Sequence, residues 1–269
     1  MPEPSGAKET ELIAHLTPLL LDLADRGRTA VSLGGSRAKN RADSRSDYDF
    51  RVYADRFRGP ELNRTKAWAN FEAAWRIWEA NGVRIDGAWV REIGEIDAAL
   101  EAWLAGKGAP IEYDWTIWGY HLPTDLAHQL ILIDDDGVLE DWKVRLKTYP
   151  EALRRAVMEK HLGILRYWRA DYHYESKVAR RDIIFLAGIT AKLIHSIMQV
   201  HFALNRTYFV GDGWNLDVAK DFVVAVDHLA QRVENALNLR STNADLAEQR
   251  RQLIALVDEV ETLVARHIP

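Results

Sequence analysis

One stretch, residues 33–50, constrains this chain more than any other. A short apolar run, Ala30-Val31-Ser32-Leu33, leads into Gly34-Gly35-Ser36. A polar, strongly basic segment follows, and Asp47-Tyr48-Asp49 then opens a second apolar run, Phe50-Arg51-Val52-Tyr53. The apolar runs read as strands, with the glycines as the turn that leaves the first. Glycine lets a backbone approach a phosphate closely and adopt conformations that a Cβ forbids. Backbone N–H groups at a following helix start, with a serine hydroxyl beside them, suit an anion. Residues i and i+2 of a strand share a face, so Asp47 and Asp49 stand side by side. Adjacent carboxylates repel unless a cation lies between them, and hard oxygen ligands suit Mg²⁺ carrying substrate phosphates.

The remaining composition narrows the partners. At 269 residues the chain has length for one large domain or two modest ones, and 28% charged with 48% hydrophobic residues describes a globular protein rather than a disordered one. A net charge of −5 argues against broad nucleic-acid binding, although Arg37, Lys39, Arg41 and Arg45 form a local basic patch beside the glycine turn. The absence of cysteine excludes disulfides, thiolate nucleophiles and Cys-zinc sites. The first eight residues lack the apolar core of a signal peptide, and no apolar run approaches a membrane span, so the cytoplasm is the expected compartment, with no membrane partner.

Read along its length, the chain predicts a helix over 9–25 with a kink or break at Pro18, strands at 30–33 and 48–54, and punctuation at Gly59-Pro60. A helix over 61–80 follows, with Trp68, Phe71, Trp75 and Trp78 on one side. Asn81-Gly82 stops it, and 83–90 reads as a third strand with Arg84, Asp86 and Ala88 on one face and Val83, Ile85 and Trp89 on the other; Asp86-Gly87 reads alternatively as a hairpin turn. Residues 93–105 look helical, 106–110 a loop and 110–118 strand-like. Asp134-Asp135-Asp136-Gly137 lacks EF-hand ligand spacing and reads as a solvated turn feeding a short strand. From Pro150 onward helical patterns take over, at 150–172, 178–204, 216–238 and 242–267. The expected organisation is therefore an α/β domain with a mixed sheet over 1–148, followed by an all-α bundle over 149–269.

The pattern Gly-Gly-Ser, ten residues (37–46), then Asp-apolar-Asp-apolar resembles the signature of the nucleotidyltransferase superfamily that includes DNA polymerase β, and most resembles its small-molecule branch, the aminoglycoside and lincosamide nucleotidyltransferases. The resemblance implies transfer of a nucleoside monophosphate, AMP from ATP, to a hydroxyl of a small acceptor such as an aminoglycoside-like antibiotic, with pyrophosphate released. Asp47 and Asp49 would hold Mg²⁺. Gly35 and Ser36 would hold the terminal phosphates, with Arg37 or Lys39 neutralising charge nearby. In the superfamily the third core strand carries a third carboxylate, and Asp86 is the matching position; Asp114 or Glu112 is the alternative. A base near the attacking hydroxyl, or a third ligand, completes what the aspartate pair begins. Two other readings stay open: modification of a macromolecule, a tRNA end or a partner protein as in toxin–antitoxin pairs, and nucleotide binding without turnover. Whether the chain is a monomer or a dimer is not read from the sequence.

In the helical half, Arg181, Gly188, Lys192, His195 and Gln199 form a polar stripe on an otherwise apolar helix, which suggests a face lining a cleft. The helical domain of the antibiotic-modifying relatives closes over the nucleotide and supplies cations to its phosphates, which makes Lys192 the expected triphosphate contact, ahead of Arg181 and Arg180. His195 and His201 are six apart, which does not pair them on one helical face as metal ligands. The loop 205–214 reads as a seal on the end of the bundle rather than a ring-stacking site. The run AKLIHSIMQVHFALNRTYFVGDGW (191–214) resembles a group in which a nucleotidyltransferase domain is fused to a helical domain of unknown function. Arg166 and His173, with six residues between them, resemble the motif of helical RNases that accompany minimal nucleotidyltransferases.

Overall fold

The computed structural model describes residues 6–59, 61–211, 213–238 and 242–268. Residues 1–5, Pro60 and Asp212, which entered the readings above as leader, punctuation and loop, lie outside them. The chain divides into two compact units: residues 1–101 with 122–148, and residues 102–121 with 149–269. Segment 102–121, expected in the first domain, belongs with the helical unit.

The first unit is built on a sheet ordered β3-β2-β1-β4. β1 (Ala24–Leu33) pairs antiparallel with both β2 (Tyr48–Phe57) and β4 (Leu130–Ile133), and β2 pairs parallel with β3 (Ile85–Glu92), so the sheet is mixed as expected. On one face Val31, Leu33, Tyr48, Phe50, Val52 and Ile85 pack against α1 (Gly6–Leu21) and α3 (Lys66–Ala80). Leu12, Leu16 and Leu20 supply the buried stripe of α1, and Ala67, Phe71 and Ala74 that of α3, at helical spacing. Pro18 sits within α1 and does not end it; the Thr17 hydroxyl donates to the Ile13 carbonyl one turn back. α3 starts later than the sequence suggests. Thr65 caps it by accepting from the Trp68 N–H, and residues 62–64 form only a 3₁₀ turn.

Three local readings are corrected. β3 is bulged: Tyr48 and Phe50 of β2 stand opposite Ile85 and Ala88, with Gly87 at a φ of 76°. The extra residue reverses the alternation beyond it, so Ala88 and Val90 join Ile85 against the apolar core, and Trp89 turns to the other face. Residues 110–118 form no strand, only a bridge between Ile111 and Tyr120 around a turn that Thr116 closes onto Tyr113. The triple aspartate feeds a helix, α6 (Val138–Leu146), because the Asp134 carboxylate accepts from the N–H groups of Val138 and Glu140 at 2.7 and 2.9 Å. Between β3 and α6 lie α4 (Ile93–Leu104) and α5 (Leu122–His128).

The helical unit comprises α7 (Glu151–Ala170), α8 (Tyr172–Arg180), α9 (Ile183–Leu204), α10 (Asn215–Ala219), α11 (Leu229–Leu237) and α12 (Asn243–His267). The helix expected over 178–204 is two helices. Arg181 takes a left-handed conformation that ends α8, and Asp182 caps α9 by accepting from the Phe185 N–H. The helix expected over 216–238 is likewise split into α10 and α11. α9 has the length and mean hydropathy (1.7) of a membrane span, contrary to the sequence reading, yet more than half of that window is buried inside the protein. Leu193, Ile194, Ile197 and Val200 make it the core of its unit.

Candidate functional site

The site forms where β1 runs out into the glycine turn and β2 begins beside it. Gly34 donates its N–H to the Asp49 carbonyl at 2.8 Å, which fixes the turn against the second strand. Both glycines then have a reason that the sequence did not reveal. Gly35 holds a φ of 64°, and a Cβ there would stand 1.7 Å from Oδ2 of Asp49. A Cβ on Gly34 would press on the Arg51 guanidinium at 3.1 Å. The glycine pair thus makes room for two side chains of β2, before any ligand is considered.

Residues 35–38 form a single helical turn, α2 (Gly35–Ala38), with Ser36 half-buried at its start. The ten-residue connection to Asp47 is clamped from both sides. Arg37 donates through Nε to the Asp47 carbonyl at 2.8 Å and through Nη2 to the Ser46 carbonyl at 3.0 Å, with its guanidinium 3.8 Å over the Tyr48 ring. Arg84 donates to the Arg45 carbonyl at 3.0 Å, and Asp43 accepts from the Arg45 N–H and the Ser46 hydroxyl. Arg37, expected on the nucleotide, is therefore directed at its own loop.

The result is a convergence of three carboxylates. Asp47, Asp49 and Asp86 each offer an oxygen, and the three oxygens lie within 4.8 Å of one another. The β3 bulge leaves Asp86 on the side of the aspartate pair, while Glu112 and Asp114, the alternatives for the third position, are exposed on the loop of the other unit. Burial pushes the Asp49 carboxyl up to about 6; Arg51 opposes the rise, and Asp47, Asp86 and Asp125 add to it. Asp86 is also raised, by burial first and by Asp47 second. An all-oxygen donor set of this charge fits a hard divalent cation such as Mg²⁺.

Behind the carboxylates lies a polar layer that the sequence reading missed. Arg51, two residues beyond Asp49 on the same face of β2, places Nη2 3.8 Å from Asp49 and Nε 3.4 Å from Asp125 of α5. Gln129 donates to Asp125 at 3.0 Å and to the Tyr53 hydroxyl at 2.7 Å, and accepts from the Ser32 hydroxyl at 2.7 Å. Trp89 lies under the guanidinium of Arg91, 3.3 Å away, and Arg91 reaches Asp125 at 3.8 Å. The i, i+2 relation of Asp49 and Arg51 was the available signal.

The candidates in the helical unit have surroundings of their own. Lys192, expected on the triphosphate, is exposed on α9; Arg180 is exposed at the end of α8, and Arg181 occupies the break after it. The polar stripe does not persist: His195 stacks on Trp118 (centroids 5.0 Å apart, planes 4° apart) and lies 3.0 Å from Gln199, which is buried. His201 holds the Ile197 carbonyl and accepts from the Val226 N–H. Phe209 of the 205–214 loop is buried against Trp118, His121 and Phe202, as a seal requires. Arg166 is paired with Glu261 and His173 with Asp171, so each member of the RNase-like pair has its own carboxylate.

A family model described as a domain of unknown function (DUF4037) matches residues 125–215, a span that includes the 191–214 run. No curated protein matches the chain in sequence at a significant level. Among solved structures, the chain is similar to a nucleotidyltransferase-like protein from Exiguobacterium sibiricum at 10% identity, covering 97% of this chain and 78% of that one, with a TM-score of 0.45. At this degree of likeness nothing about substrate or reaction passes from that protein to this chain.

Proposed function

We propose that the protein is a Mg²⁺-dependent nucleotidyltransferase that moves a nucleoside monophosphate, AMP from ATP, onto a hydroxyl of a small acceptor of the aminoglycoside or lincosamide kind. The observation that carries this reading is the convergence of Asp47, Asp49 and Asp86 with Asp49 withdrawn from water. Three carboxylates held this close are unfavourable when ionised, and a divalent cation relieves them. A cation held there would offset charge on the triphosphate and the leaving group.

The residues of the chain have separable tasks. Asp47 and Asp49 would bind the cation. The turn at Gly35-Ser36 would hold the terminal phosphates through its N–H groups and the Ser36 hydroxyl. Asp86, the exposed member with a raised pKa, suits a general base. The acceptor oxygen attacks the α-phosphorus, its proton passes to Asp86, the bond from that phosphorus to the bridging oxygen breaks, and pyrophosphate leaves.

The test is pyrophosphate release from ATP, GTP, CTP and UTP with Mg²⁺, across aminoglycosides, lincosamides and total tRNA, for wild type and Asp47→Asn. Release from ATP that requires one small acceptor and disappears in the variant is expected. Nucleotide binding without release across the whole panel contradicts transfer to an acceptor of these classes, and release that requires tRNA contradicts the small acceptor.

A further inference from the structure

We infer that Arg51 is a positioning residue of this site, holding the Asp49 carboxylate in its orientation through a buried relay anchored on α5. The inference rests on the cation-binding reading above. Arg51 is 8% exposed, and a buried guanidinium is costly unless it is paired on more than one side. Its space exists because residue 34 has no Cβ, and Phe50 offers its carbonyl to Nη1 at 3.4 Å. On one side it meets Asp49 and on the other Asp125.

Asp125 does not by itself account for this arginine. Arg91 approaches the same Asp125 oxygen at 3.8 Å, and Gln129 donates to it at 3.0 Å. Gln129 is in turn fixed by Ser32 and Tyr53, so the far end of the relay is rigid: Ser32 and Tyr53 are fully buried, and Gln129 nearly so. Asp49, by contrast, has Arg51 as the cation beside it, at Oδ1, while its Oδ2 is walled by Gly35. The guanidinium on one oxygen and the close backbone of Gly35 beside the other limit how the carboxylate can turn. Outer-sphere partners that orient a ligand in this way commonly change metal affinity 10–100-fold when removed. A guanidinium that only competed with the cation would give the opposite sign.

The experiment is a Mn²⁺ titration of the full chain at pH 7, read by electron paramagnetic resonance of free Mn²⁺, with circular dichroism and melting on the same samples. Wild type, Arg51→Met, Arg51→Lys and Asp125→Asn are compared. Arg51→Met is expected to weaken Mn²⁺ binding about 10–100-fold. Arg51→Lys should recover part of the loss, and Asp125→Asn, which leaves Arg51 and Asp49 in place, should show a smaller one. A folded Arg51→Met that binds Mn²⁺ as tightly as wild type, or more tightly, overturns the inference. Should that variant not fold, wild-type affinity in both Arg51→Lys and Asp125→Asn overturns it equally. Failure of wild type to bind Mn²⁺ overturns instead the cation reading on which the inference stands.

Discussion

Each unit withdraws a group of titratable side chains from water, and the two groups resolve their charge in opposite ways. In the helical unit, His195 packs with Trp118 and Phe209, His121 with Phe209 and His161 with His195; His161 lies 3.2 Å from the Ser196 hydroxyl, and burial pulls the rings of His121, His161 and His195 down to about 4, 3 and 4. At neutral pH these histidines are uncharged, and their rings pack as aromatic side chains do. In the first unit, Asp49 is pushed up only to about 6, so at neutral pH it is ionised beside Asp47 and Asp86. The repulsion left in that cluster at neutral pH is of the kind a bound cation relieves. A buried titratable group that protonation can satisfy is structure; one that only a ligand can satisfy is a candidate site.

The sharpest way to break this comparison is at Gly35. A Cβ there meets Asp49 at a φ that L residues rarely adopt. Gly35→Ala is expected to destabilise the protein by about 1–3 kcal/mol and to weaken divalent binding, because the clash falls on a carboxylate oxygen. Melting and Mn²⁺ titration check both. Unchanged Mn²⁺ affinity would show that the position of Asp49 does not matter to the cation.

A smaller effect separates the two clusters by pH. The folded pKa of Asp49 lies above the ordinary carboxylate value, so its contribution to stability is full below about pH 4 and is lost as pH rises through about 6. The histidines are depressed, so their contribution is full above about pH 6.5 and is lost as pH falls toward 4 and 3. The three histidines outweigh the raised carboxyls of Asp49 and Asp86, and the metal-free protein should lose stability on acidification from pH 6.5 to 4. Asp49→Asn should steepen that loss and raise the melting temperature at pH 7. His161→Phe with His195→Phe should flatten it. The same slope in all three proteins would contradict the assignment of the two clusters.

The part of the site written in consecutive residues was legible in the sequence. The glycine turn and the Asp47/Asp49 pair followed from a turn and strand alternation, whereas the spacing to Asp47 and the third carboxylate at Asp86 came from the family resemblance. The chemistry behind them was not. Arg51 looks like a solvent-facing residue of an alternating strand, and its burial depends on Asp125, 74 positions away, and on a missing Cβ at Gly34. Arg37 looked like a phosphate contact because a cation beside a glycine turn suggests one; the loop carbonyls of Ser46 and Asp47 occupy it. The fold shows the same division. Long helices and core strands carried their own periodicity, whereas the break at Arg181-Asp182, the β3 bulge and the helix start held by Asp134 depend on single backbone conformations and side-chain hydrogen bonds.

The most direct test of the central claim is calorimetric titration of Mn²⁺ at pH 7 into wild type, Asp49→Asn and the His161→Phe/His195→Phe protein. The account predicts saturable binding in wild type and in the histidine variant, with loss of that binding in Asp49→Asn. Equal binding in Asp49→Asn, or none in a folded wild type, would contradict it.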